Sequence, residues 1–446
     1  MQPTQNAALE HVKIVDLTRI LAGPWATQTL ADLGADVIKI ESPSGGDDTR
    51  HWGPPFTGPD QTDASYDAAY FYTANRNKKS VAIDFSTDQG AGLVRQLVAQ
   101  SDVFIENFKV GGLQQYGLDY PTLKKLKPDL IYCSITGFGQ TGPYAQRAGY
   151  DFIIQAMSGL MSVTGQAPGT PGDEPMKIGV ALSDVLTGLY SCIGILTALA
   201  HRDRTGEGQH IDMSLLDVSV AAMANQSLNY LVSGNAPVRM GNAHPNIVPY
   251  QVFPTRDGHL IITAGNEGQF RSLCKVLGDE SLANDERFRT NQLRVANRDE
   301  LVAAIKTRSA TQTSDQLINA LSNAGVPCGP INNMEAVFDD PQVIARQMKI
   351  ELPEDESESS AMDIADSASI AKSMAKEPPP RSAPGVACPV RLSATPPRYR
   401  SAPPVLGNHT LEVLQQRLGL SDQQTTDLIK AGVCHTPNNI DKGSAR

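Results

Sequence analysis

A chain of 446 residues, 40% of them hydrophobic, is long enough for two or three domains with sizeable cores. Its formal charge of −10 and the lack of a basic stripe argue against a nucleic-acid or anionic-membrane partner. The six cysteines, at 133, 192, 274, 328, 388 and 434, show no CxxC spacing, so neither a disulfide framework nor a zinc site is expected. No uninterrupted apolar stretch reaches the roughly 20 residues of a membrane span, and the N-terminus shows no signal-peptide apolar region. The expectation is a soluble chain in a reducing compartment, with the cytoplasm as the default and the mitochondrial matrix as the other choice.

In chain order, Val12 to Thr18 reads as a buried strand, Arg19 to Pro24 as a loop, Trp25 to Leu33 as a helix and Val37 to Glu41 as a second strand. Strands over Ser80 to Asp84, Asp102 to Asn107 and Leu130 to Thr136 then alternate with helices over Gln89 to Gln100 and Tyr120 to Leu126. Such alternation predicts a mostly parallel sheet covered by helices. After Gly206 come a strand over Ile211 to Leu215, a helix over Val218 to Val232 and a Gly/Asn/Pro-rich loop from Gly234 to Tyr250. A hairpin of Gln251 to Phe253 and Leu260 to Ala264 flanks Arg256-Asp257-Gly258. Helices over Gln269 to Val276, Arg298 to Thr307 and Ser314 to Ala324 complete a smaller α/β domain. Residues Pro353 to Gly385 are rich in Ser, Ala, Glu and Pro and read as a linker or insertion. Leu406 to Ala431 is helical in pattern and should pack back on the first domain. The division expected is 1–215 for a large domain, 216–240 for a linker, 241–335 for a small domain, 336–385 for a linker with the insertion, and 386–446 for the return.

Asp184 ends a run of small residues and opens the apolar segment Val185 to Ala200, at a helix start where backbone N–H groups lack partners. Such a carboxylate should stay ionised and can serve as a nucleophile; a helix-capping aspartate is the other reading. The Arg19 to Pro24 loop follows the first strand of a doubly wound sheet, where ligands bind, with Pro24 at the first helical position. No GxGxxG or Walker loop supports a nicotinamide or nucleoside triphosphate ligand. The cluster Asn75-Arg76-Asn77-Lys78-Lys79-Ser80, with Lys39 and Arg50-His51, is a candidate phosphate seat, although charge runs are usually solvated surface. The loop Gly241 to Asn246, with His244, reads as either a lid or a plain interdomain connection.

Taken together, these segments resemble class III coenzyme A transferases over nearly the whole chain. Leu17-Thr-Arg-Ile-Leu-Ala-Gly-Pro24, Gly34-Ala-Asp-Val-Ile-Lys-Ile-Glu41, Asn75-Arg-Asn-Lys-Lys-Ser80, Glu106-Asn-Phe108, Gly137-Phe-Gly-Gln-Thr-Gly-Pro143, Arg147-Ala-Gly-Tyr-Asp151, the stretch Lys177 to Gly188 and Gly407-Asn-His-Thr410 match family motifs in order. The resemblance implies an α/β fold with a Rossmann-like large domain and a smaller α/β domain, in an interlocked homodimer. It implies Asp184 as the nucleophile, forming an anhydride and then an aspartyl-CoA thioester, with CoA thioesters as substrates and no permanently bound cofactor or metal. It implies CoA contacts at Ile20, Leu21, Ala22, Asn107, Phe108, Tyr150 and Asp151, with Lys39 and Arg76 as weaker phosphate candidates. Ser42 and Gln115 stand where the formyl-CoA branch carries arginines, and that branch's polyglycine lid is replaced by Gly241 to Asn246, which disfavours oxalate and formyl-CoA. Tyr150 stands where the racemase branch has a histidine, so racemisation is the alternative but loses one of its acid–base groups. Asp47-Asp-Thr-Arg50, Tyr132-Cys-Ser-Ile-Thr136, Ile247-Val-Pro-Tyr250 and Gly329-Pro-Ile-Asn-Asn-Met334 resemble the branch that moves CoA from succinate to glutarate or 3-hydroxy-3-methylglutarate. A dicarboxylate needs a cation for its far carboxylate, and Arg19, Arg50 and Arg147 are the candidates.

Overall fold

A strand covered on both faces needs apolar side chains pointing both ways, and the runs expected as strands have them. The computed structural model describes residues 7–353 and 382–437, and the chain divides into two compact units. The first runs to Ser158, resumes over Gly179–Ala224 and takes up the chain again from Ile344; the second holds Gly159–Ile178 and Asn225–Val343. Residues 159–178 thus cluster with the second unit, although the sequence pattern places them inside 1–215.

The first unit contains β1 (Lys13–Asp16), β2 (Asp36–Glu41), β3 (Lys78–Ile83), β4 (Val103–Glu106), β5 (Ile131–Thr136) and β6 (His210–Ser214). All six are parallel, and their spatial order is 3-2-1-4-5-6. β1 lies between β2 and β4, with Ile14 opposite both Val37 and Val103. One face of the sheet buries Ile14, Val37, Ile105 and Cys133 against Ala26 and Leu30 of the helix Ala22–Asp32 and Ile195 and Ala198 of the helix Leu182–Thr205. The other face buries Val15, Ile40, Val81 and Phe104 against Leu93, Val94 and Leu97 of the helix Asp88–Ala99. Each of the Val, Leu, Ile and Phe side chains among them contributes roughly 1.5–3 kcal/mol relative to exposure.

Several expected elements shift by only a residue or two, and Tyr120–Leu126 is a helix as expected. The first helix begins three residues early, at Ala22, which puts Pro24 third in the helix, where its missing N–H still costs nothing. The single helix expected over Val218 to Val232 is two, Leu215–Ala222 and Ala224–Ser233, broken where Ala224 takes φ 46°. The helix Leu182–Thr205 is long and apolar enough to cross a membrane by length and composition alone, although its run between Asp184 and His201 is shorter than the roughly 20 residues of a span. Its buried face is nevertheless part of the sheet's core.

The second unit carries an antiparallel sheet of β7 (Tyr250–Pro254), β8 (His259–Thr263) and β9 (Cys328–Pro330), packed on helices around Phe270, Leu301 and Leu317. In the first unit, β10 (Lys349–Pro353) pairs antiparallel with β11 (Ser382–Val386), so the segment that reads as a low-complexity linker over Pro353 to Gly385 ends in a strand. The rest of that segment, 354–381, lies outside the described residues. The tail docks on β3: Gly407 N–H donates to Ser80 Oγ at 2.9 Å and His409 N–H to Ser80 O at 2.9 Å, while Ala82 N–H donates to Thr410 Oγ1 at 3.1 Å. It then adds β12 (Cys434–His435), antiparallel on β3, to the edge of the sheet.

Candidate active site

The chain leaves β1 toward β2 on one side and returns to β4 on the other, so the strand order switches between β1 and β4. A doubly wound sheet opens a crevice at the carboxyl ends of its strands at that point. A cavity of about 940 Å³ occupies it, lined by the turns after β1, β2, β3, β4 and β5, by the segment Arg147 to Asp151, and by Asp184. That volume is in the range of sites that enclose a large organic ligand. Arg19, Ile20, Leu21, Ala22, Asn107, Phe108, Arg147, Tyr150, Asp151 and Asp184, all expected from the sequence, line this one cavity.

Asp184 is the third residue of the helix Leu182–Thr205, whose preceding residue, Ala181, provides no side-chain cap. The cap comes from elsewhere: Asp151 Oδ1 accepts the N–H of Ser183 at 2.8 Å and that of Asp184 at 3.4 Å. Asp184 is therefore not the capping residue. Burial, and then the neighbouring charge of Asp151, push its carboxyl up to about 7. The expectation of a fully ionised carboxylate is thus corrected: near neutral pH both forms are present, because desolvation outweighs the helix dipole. A carboxylate poorly solvated by water is a stronger nucleophile toward a thioester.

Two glycines bring the Asp151 carboxylate to this position. A Cβ on Gly149 would lie 2.6 Å from Gly137 Cα, and a Cβ on Gly137 would lie 2.6 Å from Gly149 Cα, so the backbone after β5 and the backbone before Tyr150 are in direct contact. Gly188, one turn after Asp184, similarly lets its helix approach the first helix, since a Cβ there would meet Ala22 O at 2.7 Å. Arg147 stays exposed, its guanidinium 4.6 Å from the Tyr144 ring centroid. Arg19 is ion-paired with Asp48 at 3.0 Å and is about half exposed.

Three expected ligand residues are excluded by burial. Arg50 Nε and Nη2 donate to the two Glu41 oxygens at 2.9 and 2.7 Å, its Nη1 donates to Asp67 at 2.7 Å, and its guanidinium lies 3.7 Å from the Phe71 ring centroid. Lys39 Nζ donates to Thr18 O at 2.7 Å and Asp47 Oδ2 at 2.9 Å. Arg76 is bidentate to Asp32 at 2.9 and 2.7 Å. None of the three lines the cavity, and all three are buried. The whole Asn75 to Ser80 cluster is structural: Lys78 Nζ reaches Asn75, Pro24 O and Asp16, and Lys79 pairs with Glu412 at 2.8 Å. A buried charge persists only with such partners, and a sequence does not show them.

The cavity also takes in residues that the sequence does not single out: Phe85, Lys109, Tyr116 and His435. Phe85 stacks edge-on against Phe108 and Tyr116 at 5.6 and 5.5 Å, and Arg19 lies 5.9 Å from the Phe108 ring centroid. Nothing in their local sequence marks them, because β12 and the turns after β3 and β4 meet only in the fold. Behind Phe108, Glu106 accepts that residue's N–H at 2.7 Å, and burial pushes its carboxyl to about 7. The loop Gly241 to Asn246 belongs to the second unit, where Arg298 holds the carbonyls of His244 and Pro245 at 2.9 and 3.0 Å. His244 accepts the Asn246 N–H at 3.1 Å, and burial and then Arg298 lower its pKa.

This combination of crevice, a carboxyl that takes no hydrogen bond among the described residues, and glycine contact agrees with what the chain is similar to. It is 50% identical over 415 residues to the succinate–glutarate CoA-transferase of Agrobacterium fabrum, covering 93% of this chain and 96% of that one. It is 41% identical over 425 residues to the succinyl-CoA:glutarate CoA-transferase of Homo sapiens, covering 95% and 89%. The crystal structure of a CAIB/BAIF family protein from Brucella suis superposes with a TM-score of 0.77 at 51% identity, covering 93% of this chain and all of that one. Residues 9–410 match the family described as CoA-transferase family III, a span that holds Asp184 and most of the cavity lining, and the chain belongs to that family and is a CoA-transferase.

Proposed function

We propose that this enzyme moves CoA from succinyl-CoA to a dicarboxylic acid, glutarate or 3-hydroxy-3-methylglutarate, with Asp184 as the nucleophile. The observation that carries this reading is the Asp184 carboxyl, which takes no hydrogen bond among the described residues and lines the cavity on the carboxyl edge of the sheet. Asp184 attacks the succinyl thioester carbonyl, the C–S bond breaks, and a succinyl–aspartyl anhydride and CoA thiolate result. The thiolate attacks the aspartyl carbonyl, succinate leaves, and an aspartyl-CoA thioester remains. The acceptor carboxylate then attacks that thioester, and the released thiolate takes the acceptor's acyl group from the second anhydride, regenerating Asp184. Every intermediate keeps the energy of the thioester, so water must be kept out.

Coenzyme A lies along Ile20, Leu21, Ala22, Asn107 and Phe108, with Phe85 and Tyr116 offering an aromatic surface to its base and Lys109 a cation to its phosphates. Arg19 and Arg147 are the candidates for the far carboxylate of the acid. Racemisation is disfavoured, since Tyr150 stands where the racemase branch has a histidine. The assembly proposed is an interlocked homodimer; in the chain taken alone, Leu189, Tyr190, Ile193 and Leu196 on the long helix are all at least 38% exposed, an apolar stripe that a second copy would cover. The test is incubation with succinyl-CoA and a panel of glutarate, 3-hydroxy-3-methylglutarate, malate, itaconate, oxalate and formate, with new thioesters read by mass spectrometry. Formation of glutaryl-CoA by the wild type but not by Asp184→Ala is the expected result. Unchanged transfer by Asp184→Ala refutes the assignment.

A further inference from the structure

Ile20 has φ 75°, in the left-handed region that β-branched residues almost never enter. It sits in the turn between β1 and the first helix, on the wall of the cavity. A strained conformation of this kind persists only where surrounding groups over-determine it. Here they do so from two sides. Ile20 N–H donates to both oxygens of Asp47, at 3.1 and 3.2 Å. The preceding residue is clamped from the turn after β4, where Asn107 Oδ1 accepts Arg19 N–H at 3.1 Å and Asn107 Nδ2 donates to Arg19 O at 2.7 Å.

Asp47 is itself fixed. Lys39 Nζ donates to it at 2.9 Å, Thr49 donates through its N–H at 3.0 Å and its hydroxyl at 2.8 Å, and Asp47 N–H donates to Glu41 Oε2 at 3.0 Å. Burial favours the neutral carboxyl, but Lys39 and Thr49 outweigh it and hold Asp47 at about 2. Only 2% of Asp47 is exposed and it does not line the cavity, so it acts on a ligand through the backbone it holds, of which Ile20 is the residue that it bonds directly and that lines the cavity. The buried cation Lys39 cannot reach a phosphate, but it keeps charged the acceptor that orders the ligand's wall.

We propose that Asp47 is a positioning residue for the CoA thioester, holding Ile20 left-handed so that the Arg19–Ala22 turn is set in its ligand-bound shape before substrate arrives. This rests on the reading that the cavity takes CoA. Asp184 rides on a different helix, so loss of the clamp weakens binding and leaves the chemical step nearly untouched. The test is a double-mutant cycle of Asp47→Asn and Ile20→Gly in the full-length protein, measuring the dissociation constant of free CoA by calorimetry and kcat and KM with succinyl-CoA. Asp47→Asn is expected to raise both Kd and KM by about ten-fold to a hundred-fold, the release of one strained residue, with kcat within about three-fold. Glycine adopts φ 75° freely, so in the Ile20→Gly background the same substitution is expected to change Kd by less than about three-fold.

Equal losses in both backgrounds overturn the proposal, as does an Asp47→Asn protein that binds CoA normally. Should Asp47→Asn fail to fold, Ile20→Pro serves, since proline can neither reach φ 75° nor donate an N–H. Retention of CoA affinity by folded Ile20→Pro overturns the clamp. Wild-type protein that fails to bind CoA refutes the site assignment beneath it, whereas losses that simply add, with wild-type binding intact, refute the clamp alone.

Discussion

Replacing Asp184 with asparagine should make the protein inactive and, above neutral pH, more stable. In the unfolded chain the carboxyl titrates near 3.8, and in the fold burial and then Asp151 raise it to about 7. Folding therefore takes up a proton between those values, and stability falls as pH rises from about 4 to about 7, then levels. At ~1.4 kcal/mol per pH unit the gap corresponds to roughly 4 kcal/mol, and partial access from the cavity reduces this to about 2 kcal/mol. Asparagine carries no charge to desolvate, so Asp184→Asn should recover that amount at pH 8 and little at pH 4. Calorimetric melting of both proteins at pH 5, 6, 7 and 8 measures it; the expected gain in Tm is roughly 2–5 °C at pH 8, shrinking toward pH 5. A Tm difference that stays constant across this range, or a variant less stable at pH 8, would show that the Asp184 carboxyl is not held in the state inferred. The trade of stability for a reactive group is a common one at active sites.

The same titration governs rate: kcat/KM for succinyl-CoA should fall about ten-fold per pH unit below about 7. Asp151→Asn keeps an acceptor for the Ser183 N–H but removes a like charge, so the acid limb should move to lower pH; an unmoved limb contradicts the assignment. Gly149→Ala places a methyl group 2.6 Å from Gly137 Cα and should cost about 2 kcal/mol or more, read as a lowered Tm and lost turnover. Arg50→Met takes the cation from the buried Glu41 and from the partly exposed Asp67 and should destabilise by about 3 kcal/mol. Arg147→Met should leave Tm within about 1 °C and instead raise the KM for the acceptor acid, a contrast visible by measuring Tm and KM side by side.

What is legible in the sequence follows from periodicity. Strands buried on both faces appear as short runs dominated by β-branched and aromatic residues, which is why β2 and β5 lie within a residue of their expected bounds even though β2 carries Lys39 and β5 carries Ser134. β12 has two residues and β11 contains both proline and glycine, so neither carries a pattern to find. The site is legible as far as its segments carry family motifs, and Asp184 and the Arg147 to Asp151 stretch meet in one cavity. The cations mislead because a charged residue in a sequence carries no sign of its partner. Lys39, Arg50 and Arg76 find Asp47, Glu41 and Asp32 only once the sheet has brought β2, β3 and the first helix together. The backbone of Ile20 lies beyond reach for a different reason: its side chain favours the opposite conformation, and only long-range hydrogen bonds reverse that preference.

The backbone contact between Gly137 and Gly149 pinches a length of chain into a closed loop whose two ends are fixed to each other. Phe138, at the start of that loop, is built into the core, but the largely exposed stretch 141–148 is separated by the pinch from the Asp151 carboxylate that caps the Asp184 helix. Arg147 and Ala145 lie inside that loop and face the cavity, whereas the nucleophile lies outside it. The pinch thus makes a replaceable cassette, in which selectivity for the acid can diverge while the reacting group stays where it is.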